Sequence, residues 1–436
     1  MADEYQSWGH YPVASDQKVA PWRNRRRIPT PVDSPVLARG NGRSYGDVCL
    51  NEGGALLVTS SLDRFISFDD QAGELVCEPG VLLSEILALI VPRGWLLSVM
   101  PGTKLVTVGG AIANDVHGKN HHRFGTFGTN VLGFRLLRSD GSVLTCSRTE
   151  NAELFAATIG GLGLTGLIAE TRLKLRPIGS SYLEGEQIRF DTLDEFFALS
   201  EESEGSYEYT AAWIDCLASG DKLGRGHFMR ANHAADGKLD IASPFPLVVP
   251  FTPPISLVNR LSLRVFNTLY YERQRKSRVQ RRWHFNSHLF PLDSIAHWNR
   301  LYGPKGFLQY QCVVPMEEAQ ETSRALFAEI ARSGQGSPLV VFKTFGDAAS
   351  PGMLSFPMSG VTLALDFPIL GQETFALLDR LDSLVREAGG RLYAAKDARM
   401  SHEMFAQGYP ALEHFTAYID PAFGSGFERR VLRGER

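Results

Sequence analysis

The chain has 436 residues, 44% of them apolar and 21% charged, with a formal net charge of −3 at pH 7. Because one hydrophobic core rarely extends over such a length, we expect a soluble globular protein of two domains. The near-neutral charge excludes the strong overall basic field by which many proteins bind nucleic acid, so no nucleic-acid partner is expected.

The cysteines and the N-terminus indicate a compartment. Five cysteines, at positions 49, 77, 146, 216 and 312, are scattered without a C-x-x-C pair, which is typical of reduced thiols in a cytosolic protein. Residues 1–17 lack the apolar core of a signal peptide, and no window is apolar enough for a spanning helix. The sequence predicts a cytoplasmic protein and leaves open a peripheral contact at the inner face of the membrane.

Residues 31–180 predict short strands and helices separated by glycines. Two apolar runs, PVLAR (35–39) and ALLVTS (55–60), have the composition of strands. The run SEILALIVPRG (84–94) has helical spacing and is ended by proline and glycine.

Two further elements follow in this part of the chain. NAELFAATIGG (151–161) predicts a second helix, with Asn151 as its N-cap. GLIAETRLKLRP (166–177) alternates apolar and polar positions, as a half-buried strand does.

Residues 181–390 have a different pattern. Longer helices are predicted at 192–203 and 316–334. The stretch 371–393 predicts an amphipathic helix that Gly389 and Gly390 end, and then a strand. Helices and strands mixed in this way predict an α+β domain.

Two unusual segments lie within this second part. SPFPLVVPFTPPI (243–255) contains five prolines, which exclude a helix or an inner strand and predict an extended loop. RQRKSRVQRR (273–282) contains six basic residues, and we interpret it first as a solvated helix face. The alternative is a basic rim beside an apolar loop, suited to an anionic amphiphile at a membrane surface.

ARGNGRSYGD (38–47) spaces its glycines as G-x-G-x-x-x-G, one residue too long for a dinucleotide fingerprint. It also leads towards a strand, whereas a Rossmann loop leads into a helix. Successive backbone N–H groups of a glycine-rich turn can still form an anion-binding concavity. On its own, however, the motif is more typical of an ordinary tight turn.

Two more glycine-rich segments, at 101–122 and 159–168, lie in the same predicted domain. Together the three predict a chain that wraps a large ligand through its backbone, and tightly packed sheet corners are the structural alternative. The second segment places His117 four residues before His121, but Gly118 and Asn120 disfavour the helix that a metal-binding pair needs, so no metal is predicted. The alternatives are a buried, hydrogen-bonded His117 or one that lies beside a flavin or a substrate hydroxyl.

Five segments together resemble one enzyme family: ARGNGRSYGD (38–47), PGTKLVTVGGAIANDVHGKNHH (101–122), GGLGLTGLI (160–168), WNRLYGPKGFLQYQ (298–311) and GGRLYAAKDAR (389–399). Their sequences and order are similar to those of the FAD-dependent decaprenylphosphoryl-β-D-ribose 2′-oxidases, which belong to the vanillyl-alcohol oxidase superfamily. The resemblance extends over residues 30–410.

The resemblance implies an α+β fold of two domains, of the vanillyl-alcohol-oxidase type. Residues 1–180 and the C-terminal return 391–436 would form a PCMH-type FAD-binding domain, and residues 181–390 an antiparallel-sheet substrate domain. Arg43 stands where several superfamily relatives carry a histidine bonded to the flavin, so the resemblance implies a non-covalent FAD.

Site residues follow from the same resemblance. The positions that match the family's FAD contacts are Ala38, Arg39, Gly40, Asn41, Gly42, Arg43, Ser44, Tyr45, Gly46, Asp47, Val48, Gly102, Thr107, Val108, Gly109, Gly110, Asn114, Asp115, Val116, His117, Ile168 and Tyr393. Those that match its substrate pocket are Lys119, Trp213, Arg300, Gln309, Gln311, Lys343 and Ala364, and Lys396 matches its active-site lysine. Mycobacterial members carry cysteine at Ala364 and asparagine at Thr362, so the exact substrate is left undetermined.

The implied reaction oxidises the ribose C2′ hydroxyl of a polyprenyl-phosphoryl ribose to a ketone. A separate short-chain reductase partner then completes the epimerisation to arabinose, a reaction of cell wall biosynthesis. Alcohol oxidation needs a hydride acceptor and a base near pH 7, and Lys396 serves if burial lowers its pKa. Tyr45 and His117 are the other candidate bases. An electrostatic role for Lys396, or a surface ion pair with Asp397, stays open at this point.

Two other functions remain as alternatives. The first is an oxidase of a soluble alditol, sugar or aldonolactone on the same fold, which would not need the apolar segment 243–255. A lipid-phosphate substrate would need cation contacts, for which Lys119 and Lys343 are the candidates. The second is a flavin-binding protein without turnover, which the intact set of Tyr45, His117, Lys119 and Lys396 disfavours.

Overall fold

The computed structural model describes residues 5–28, 35–241 and 246–434. Its strands are β1 (Lys18–Pro21), β2 (Val36–Arg39), β3 (Ala55–Val58), β4 (Phe65–Asp69), β5 (Glu74–Cys77), β6 (Trp95–Leu97), β7 (Val131–Leu137), β8 (Val143–Ser147), β9 (Leu167–Pro177), β10 (Tyr182–Phe190), β11 (Tyr209–Ile214), β12 (Gly226–His233), β13 (Leu247–Val248), β14 (Arg278–His284), β15 (Ile295–Ala296), β16 (Phe307–Pro315), β17 (Val341–Phe345), β18 (Gly360–Pro368) and β19 (Arg391–Leu392). Its α-helices are α1 (Leu83–Ile90), α2 (Val108–Ala113), α3 (His121–Phe124), α4 (Ala152–Thr158), α5 (Leu193–Glu204), α6 (Arg260–Glu272), α7 (Phe285–Leu289), α8 (Ala319–Ser333), α9 (Gln372–Glu387), α10 (His402–Gly408) and α11 (Leu412–Thr416).

The N-terminal part contains two sheets. A parallel sheet has the order β1-β3-β2, and an antiparallel sheet has the order β4-β5-β9-β7-β8, with β6 also paired to β9. The predicted strand at 166–177 is confirmed as β9, in which Leu173 and Leu175 are buried while Arg172 and Lys174 are exposed. The apolar sides of β5, β7 and β9 share one core with α1, α2 and α4.

The predicted helix at 151–161 is confirmed as α4, but its start differs in detail. Asn151 occupies the N-cap position with a left-handed backbone, at φ 47°, and its side chain makes no capping hydrogen bond. Its amide instead donates to the carbonyl of Thr145 in the preceding strand. Asn tolerates this conformation because its short polar side chain can hydrogen-bond locally.

The C-terminal part is built around an eight-stranded antiparallel sheet with the order β14-β10-β12-β11-β17-β18-β16-β19. Helices α5, α8 and α9 cover one face and share a core with it that includes Phe342, Cys312 and Leu363. These helices lie in the segments 192–203, 316–334 and 371–393, as predicted. The α+β class is thereby confirmed.

The interpretation of the basic run 273–282 as a helix face is wrong. Helix α6 ends at Glu272, and residues 278–284 form β14, which is the edge strand of the eight-stranded sheet. The buried amide of Gln274 donates to the carbonyls of Gln187 and Lys276, which holds the turn between the two elements. Charged side chains suit an exposed edge strand because they discourage pairing with another chain.

The proline-rich segment is extended, as predicted. Within it β13 pairs in parallel with β15 over two residues, and residues 249–258 contain no helix or strand. Residues 243–245 of this segment lie outside the described residues. In the described ranges no helix combines the length and the apolar composition that crossing a bilayer requires.

Candidate functional site

A cavity of about 730 Å³ lies between the glycine-rich segments and the face of the eight-stranded sheet that α5, α8 and α9 leave uncovered. Strand alternation builds this wall, because successive side chains point to opposite faces of a sheet. On β16, Gln309 and Gln311 line the cavity while Leu308, Tyr310 and Cys312 pack into the core. Lys343 on β17 and Ala364 with Thr362 on β18 follow the same rule.

The opposite wall consists of the glycine-rich segments, and glycine is required where two of them meet. A Cβ added at Gly40 would lie 2.2 Å from Thr107 Oγ1, which caps α2 by accepting from the N–H of Gly110. A Cβ added at Gly102 would meet no atom of the described chain within 4 Å, because Gly102 faces the cavity.

This wall fits the predicted FAD. The backbone N–H groups of residues 41–44 find no acceptor in the described part of the chain, so they are available to an anion such as a pyrophosphate. Asn114 Oδ1 is buried next to the cavity without a hydrogen-bond partner among the described residues. The cavity volume is also in the range that large cofactors occupy.

The cavity brings together every predicted site residue except Gly46, Asp47, Val108, Asp115 and Arg300. Gly46 packs against the backbone of Asp397, and Val108 belongs to the core around α1 and α2. Asp47 forms an ion pair with Arg430 at 2.8 Å.

The remaining two residues outside the lining hold neighbouring loops. Asp115 is fully buried and accepts from the N–H of Gly128 and from the hydroxyl of Ser355. The guanidinium of Arg300 donates to the carbonyls of Val249 and Pro250, at 2.9 and 3.0 Å, and so anchors the proline-rich segment.

His117 lies at the centre of the polar part of the cavity. Its Nε2 is 2.9 Å from the amide nitrogen of Gln311, and its Nδ1 is 3.2 Å from Lys343 Nζ. Burial, with a further contribution from the charge of Lys343, lowers the pKa of His117 well below its ordinary value. The ring is therefore neutral at pH 7. Its Nε2 accepts from the Gln311 amide, so Nδ1 carries the proton and donates to Lys343 Nζ when that amine is neutral.

Two lysines beside His117 lack a counter-charge. Burial lowers the pKa of Lys119 to about 8, and burial together with the charge of Lys119 lowers that of Lys343 to about 7. Their amines donate to the carbonyls of His288 and Gly118. In the described ranges only Lys174 and Lys238 lie within ion-pair distance of a carboxylate, so Lys119 and Lys343 have no carboxylate partner there. Because an uncompensated buried cation is costly, this part of the cavity suits an anion.

Lys396 and Tyr45 form a second polar group. Lys396 Nζ lies 3.9 Å from the centre of the Tyr45 ring, and burial lowers the pKa of Lys396 to about 7 although Asp366 opposes the shift. Burial raises the pKa of Tyr45 well above its ordinary value, so its hydroxyl remains protonated at pH 7. Of these two groups, Lys396 is the one that can accept a proton near neutral pH.

The surface ion pair between Lys396 and Asp397, which the sequence left open, does not form. The carboxylate of Asp397 accepts from Arg430 at 2.8 Å and from the backbone N–H groups of Arg399 and Met400. These contacts hold the loop that follows β19, while the side chain of Lys396 lines the cavity.

Asp366 is a residue of the site that the sequence analysis missed. Its carboxylate is buried and accepts from the Gln309 amide at 2.7 Å and from the Tyr302 hydroxyl at 3.2 Å. Burial raises its pKa to about 6, and its charge acts on both Lys396 and Tyr45. The signal that could have found it is strand alternation, because Asp366 follows Ala364 by two residues on β18.

We predict that replacing the carboxylate of Asp366 shifts the pH profile of flavin reduction. Because the charge of Asp366 raises the pKa of Lys396, Asp366→Asn should lower that pKa further. If the neutral amine of Lys396 is the active form, the acidic limb of flavin reduction moves to lower pH in the variant. Stopped-flow absorbance of the flavin between pH 5 and 9, about two units either side of neutrality, measures the position of this limb. Asp347→Asn, at an exposed site, should leave the limb in place, and an unchanged limb in Asp366→Asn would contradict the coupling.

Comparisons with known proteins agree with this geometry. Residues 31–147 match the family described as "FAD binding domain". The chain is 37% identical over 415 residues to the decaprenylphosphoryl-beta-D-ribose oxidase of Mycolicibacterium smegmatis, covering 91% of this chain and 89% of that protein. It is also 30% identical to the L-gulonolactone oxidase of Mus musculus and 33% identical to cytokinin dehydrogenase 2 of Arabidopsis thaliana, over 33% and 32% of this chain and 32% and 28% of those proteins.

The match to the mycobacterial enzyme covers 91% of this chain, whereas the other two matches cover about a third of it. With the FAD-binding domain and the fitting cradle, FAD is the cofactor of the protein. The chain belongs to the decaprenylphosphoryl-β-D-ribose oxidase family of FAD-dependent oxidoreductases, with a fold of the vanillyl-alcohol-oxidase type.

Proposed function

We propose that the protein oxidises the C2′ hydroxyl of a polyprenyl-phosphoryl ribose to the 2′-keto sugar. The observation that carries this proposal is the pair Lys119 and Lys343, two buried amines without a carboxylate partner in the described ranges, whose protonated forms a bound anion would favour. A phosphodiester would supply the counter-charge that the protein lacks there. A neutral alditol or lactone, the alternative substrate class, would leave both amines uncompensated.

The roles of the side chains follow from their protonation states. When bound, FAD supplies the acceptor for the hydride that leaves C2′. Lys396 takes the proton of the C2′ hydroxyl as a neutral amine, and Tyr45 orients that hydroxyl through its own O–H. His117 and Gln311 form a hydrogen-bonded pair that fixes the polar wall against which the sugar lies.

A panel of substrates tests the proposal by anaerobic reduction of the flavin. We expect prenyl-phosphoryl ribose to bleach the flavin absorbance, and free ribose, alditols and aldonolactones to leave it unchanged. The variant Lys119→Met should raise the substrate concentration needed for half-maximal reduction by about tenfold or more, since a charged contact is lost. If free polyols reduce the flavin as fast as the phosphoryl sugar does, the alternative function, oxidation of a soluble alditol, sugar or aldonolactone, is correct.

The product chemistry implies a partner. Oxidation at C2′ removes two electrons and two protons, and formation of the arabinose epimer requires their return on the opposite face of the sugar. We therefore propose a separate reductase as the second enzyme of the sequence. Trapping the product with borodeuteride should place deuterium at C2′, and a product without deuterium at that carbon would exclude a 2′-keto intermediate. The free cysteines of this chain, four of which are buried, support a cytoplasmic location for the oxidation step.

The flavin is expected to be held without a covalent bond. Arg43 lines the cavity with its guanidinium 4.2 Å from the centre of the Trp8 ring, at the position where covalent relatives carry histidine. Acid precipitation should release free FAD into the supernatant, as measured by its absorbance and its mass. A yellow pellet with a colourless supernatant would indicate a covalent link through another residue.

A further inference from the structure

Helix α6 has its apolar side turned outwards. Its buried stripe is Leu263, Asn267 and Tyr271, two of which are polar and donate to Asp215 and Asp191. Its outward stripe consists of Leu261, Val265 and Leu269, whose side chains are 73%, 52% and 66% exposed. A helix on a water-facing surface normally has the opposite arrangement.

The proline-rich segment extends this apolar surface. Its exposed side chains are Leu247, Val248, Phe251 and Ile255, and Leu257, two residues further on, is exposed as well. Two adjacent residues hold this stretch of chain: Arg300 donates to the carbonyls of Val249 and Pro250, and the carbonyl of Leu301 accepts from the N–H of Leu257. We call the following exposed apolar side chains the docking face: Leu247, Val248, Phe251, Ile255, Leu257, Leu261, Val265, Phe266 and Leu269. It holds nine of the sixteen large apolar side chains that are exposed in the described ranges.

Basic residues are concentrated in the part of the sequence that carries the docking face and directly follows it. Between residues 246 and 282 the sequence has eight arginines and lysines and one acidic residue, Glu272, although the whole chain has a net charge of −3. Six of the eight are exposed and lie beyond ion-pair distance of every carboxylate in the described ranges: Arg260, Arg264, Arg273, Arg275, Lys276 and Arg281. An apolar centre with a cationic rim is complementary to a bilayer that carries anionic headgroups.

The docking face adjoins the cavity. Pro246, Tyr270 and Arg273 line the cavity and also border the proline-rich segment or the C-terminal end of α6. A second copy of the chain is a poor occupant, because two such cationic rims would repel each other. We propose that the docking face inserts into the headgroup region of an anionic membrane, so that a polyprenyl chain passes from the bilayer into the cavity without crossing water.

That the entering lipid is a polyprenyl-phosphoryl ribose rests on the proposed function, whereas membrane binding is tested separately. The holoenzyme is floated with phosphatidylcholine vesicles that contain or lack phosphatidylglycerol. We expect binding to the anionic vesicles only, weakened by salt. The variant Leu261→Ser/Leu269→Ser should lower the partition coefficient by about tenfold or more. Arg264→Glu/Lys276→Glu should remove the dependence on phosphatidylglycerol. Met316→Ser/Leu370→Ser, which changes exposed apolar side chains elsewhere, should bind as the wild type does.

Flavin reduction separates this proposal from the proposed function. The Leu261→Ser/Leu269→Ser variant should keep its FAD spectrum and its rate with a water-soluble short-chain prenyl-phosphoryl ribose, and should be slow with the long-chain lipid in vesicles. Wild-type protein that turns over but does not float, or a variant that floats normally, overturns the membrane proposal. Protein that floats but is reduced by no prenyl-phosphoryl sugar overturns the function and leaves the docking face supported. A concentration-dependent dimer that the variant abolishes, without vesicle binding, would assign the face to a second copy.

Discussion

Lys396→Met is expected to slow the anaerobic reduction of FAD by its sugar substrate by about 10²–10⁴-fold, the contribution typical of a general base. The amine lies against the Tyr45 ring in a buried site, and its pKa near 7 makes the neutral form available at physiological pH. The alternative bases are weaker candidates. Tyr45 keeps its proton, and both ring nitrogens of His117 are occupied by Gln311 and Lys343. Methionine preserves the length of the side chain and removes only the amine.

The pH profile of the wild type distinguishes the two roles of this lysine. A base must be neutral, so the rate of flavin reduction should rise with pH and level off above about 7, the pKa of Lys396. A lysine that stabilises an alkoxide or a reduced flavin must be protonated, so in that case the rate would fall over the same range. Lys305→Ala, at an exposed site, serves as the control. A Lys396→Met variant with the wild-type rate would contradict both roles.

Gly46→Ala is expected to destabilise the protein by about 1–3 kcal/mol or more, the cost of overpacking a rigid site. A Cβ at this position would lie 1.7 Å from the carbonyl oxygen of Asp397 and 2.9 Å from the Cα of Ala398, so the backbone itself would have to shift. The contact joins the first glycine-rich segment to the loop that carries Lys396. The variant should therefore lower the apparent melting temperature of the protein after FAD has been removed.

Gly102→Ala is the matched comparison. Its Cβ would meet nothing in the described chain and would project into the cavity, so the melting temperature without FAD should not change. The affinity for FAD should fall instead, as measured by flavin fluorescence on titration. If Gly46→Ala melts as the wild type does, or if Gly102→Ala melts lower without FAD, then the separation of structural from cofactor-facing glycines is wrong.

Local patterns predicted many of the elements correctly. Amphipathic spacing located α5, α8 and α9, and alternation located β9, because both signals depend only on which side of one element is buried. The motifs contain about half of the residues that line the cavity, including Gln309, Gln311 and Lys396.

What the sequence did not reveal depends on long-range packing. The basic run 273–282 carries no local signal that separates an edge strand from a helix face, and its place is decided by pairing with β10. The outward turn of α6 was equally hidden, because its leucines have the spacing of a core-facing stripe. The sequence did not reveal Asp366 because its role is set by Gln309, Tyr302 and Lys396, which come from two other segments of the chain.

The two-sided eight-stranded sheet has a consequence for engineering. On β16, β17 and β18 the positions that face the cavity alternate with positions that belong to the core. Residues that determine activity therefore alternate along each strand with residues that determine folding. A saturation library confined to positions 309, 311, 341, 343, 362 and 364 would sample the substrate wall while the helix-covered face keeps its side chains. An insertion of one residue in the same strands would exchange the two registers and convert the pocket into core.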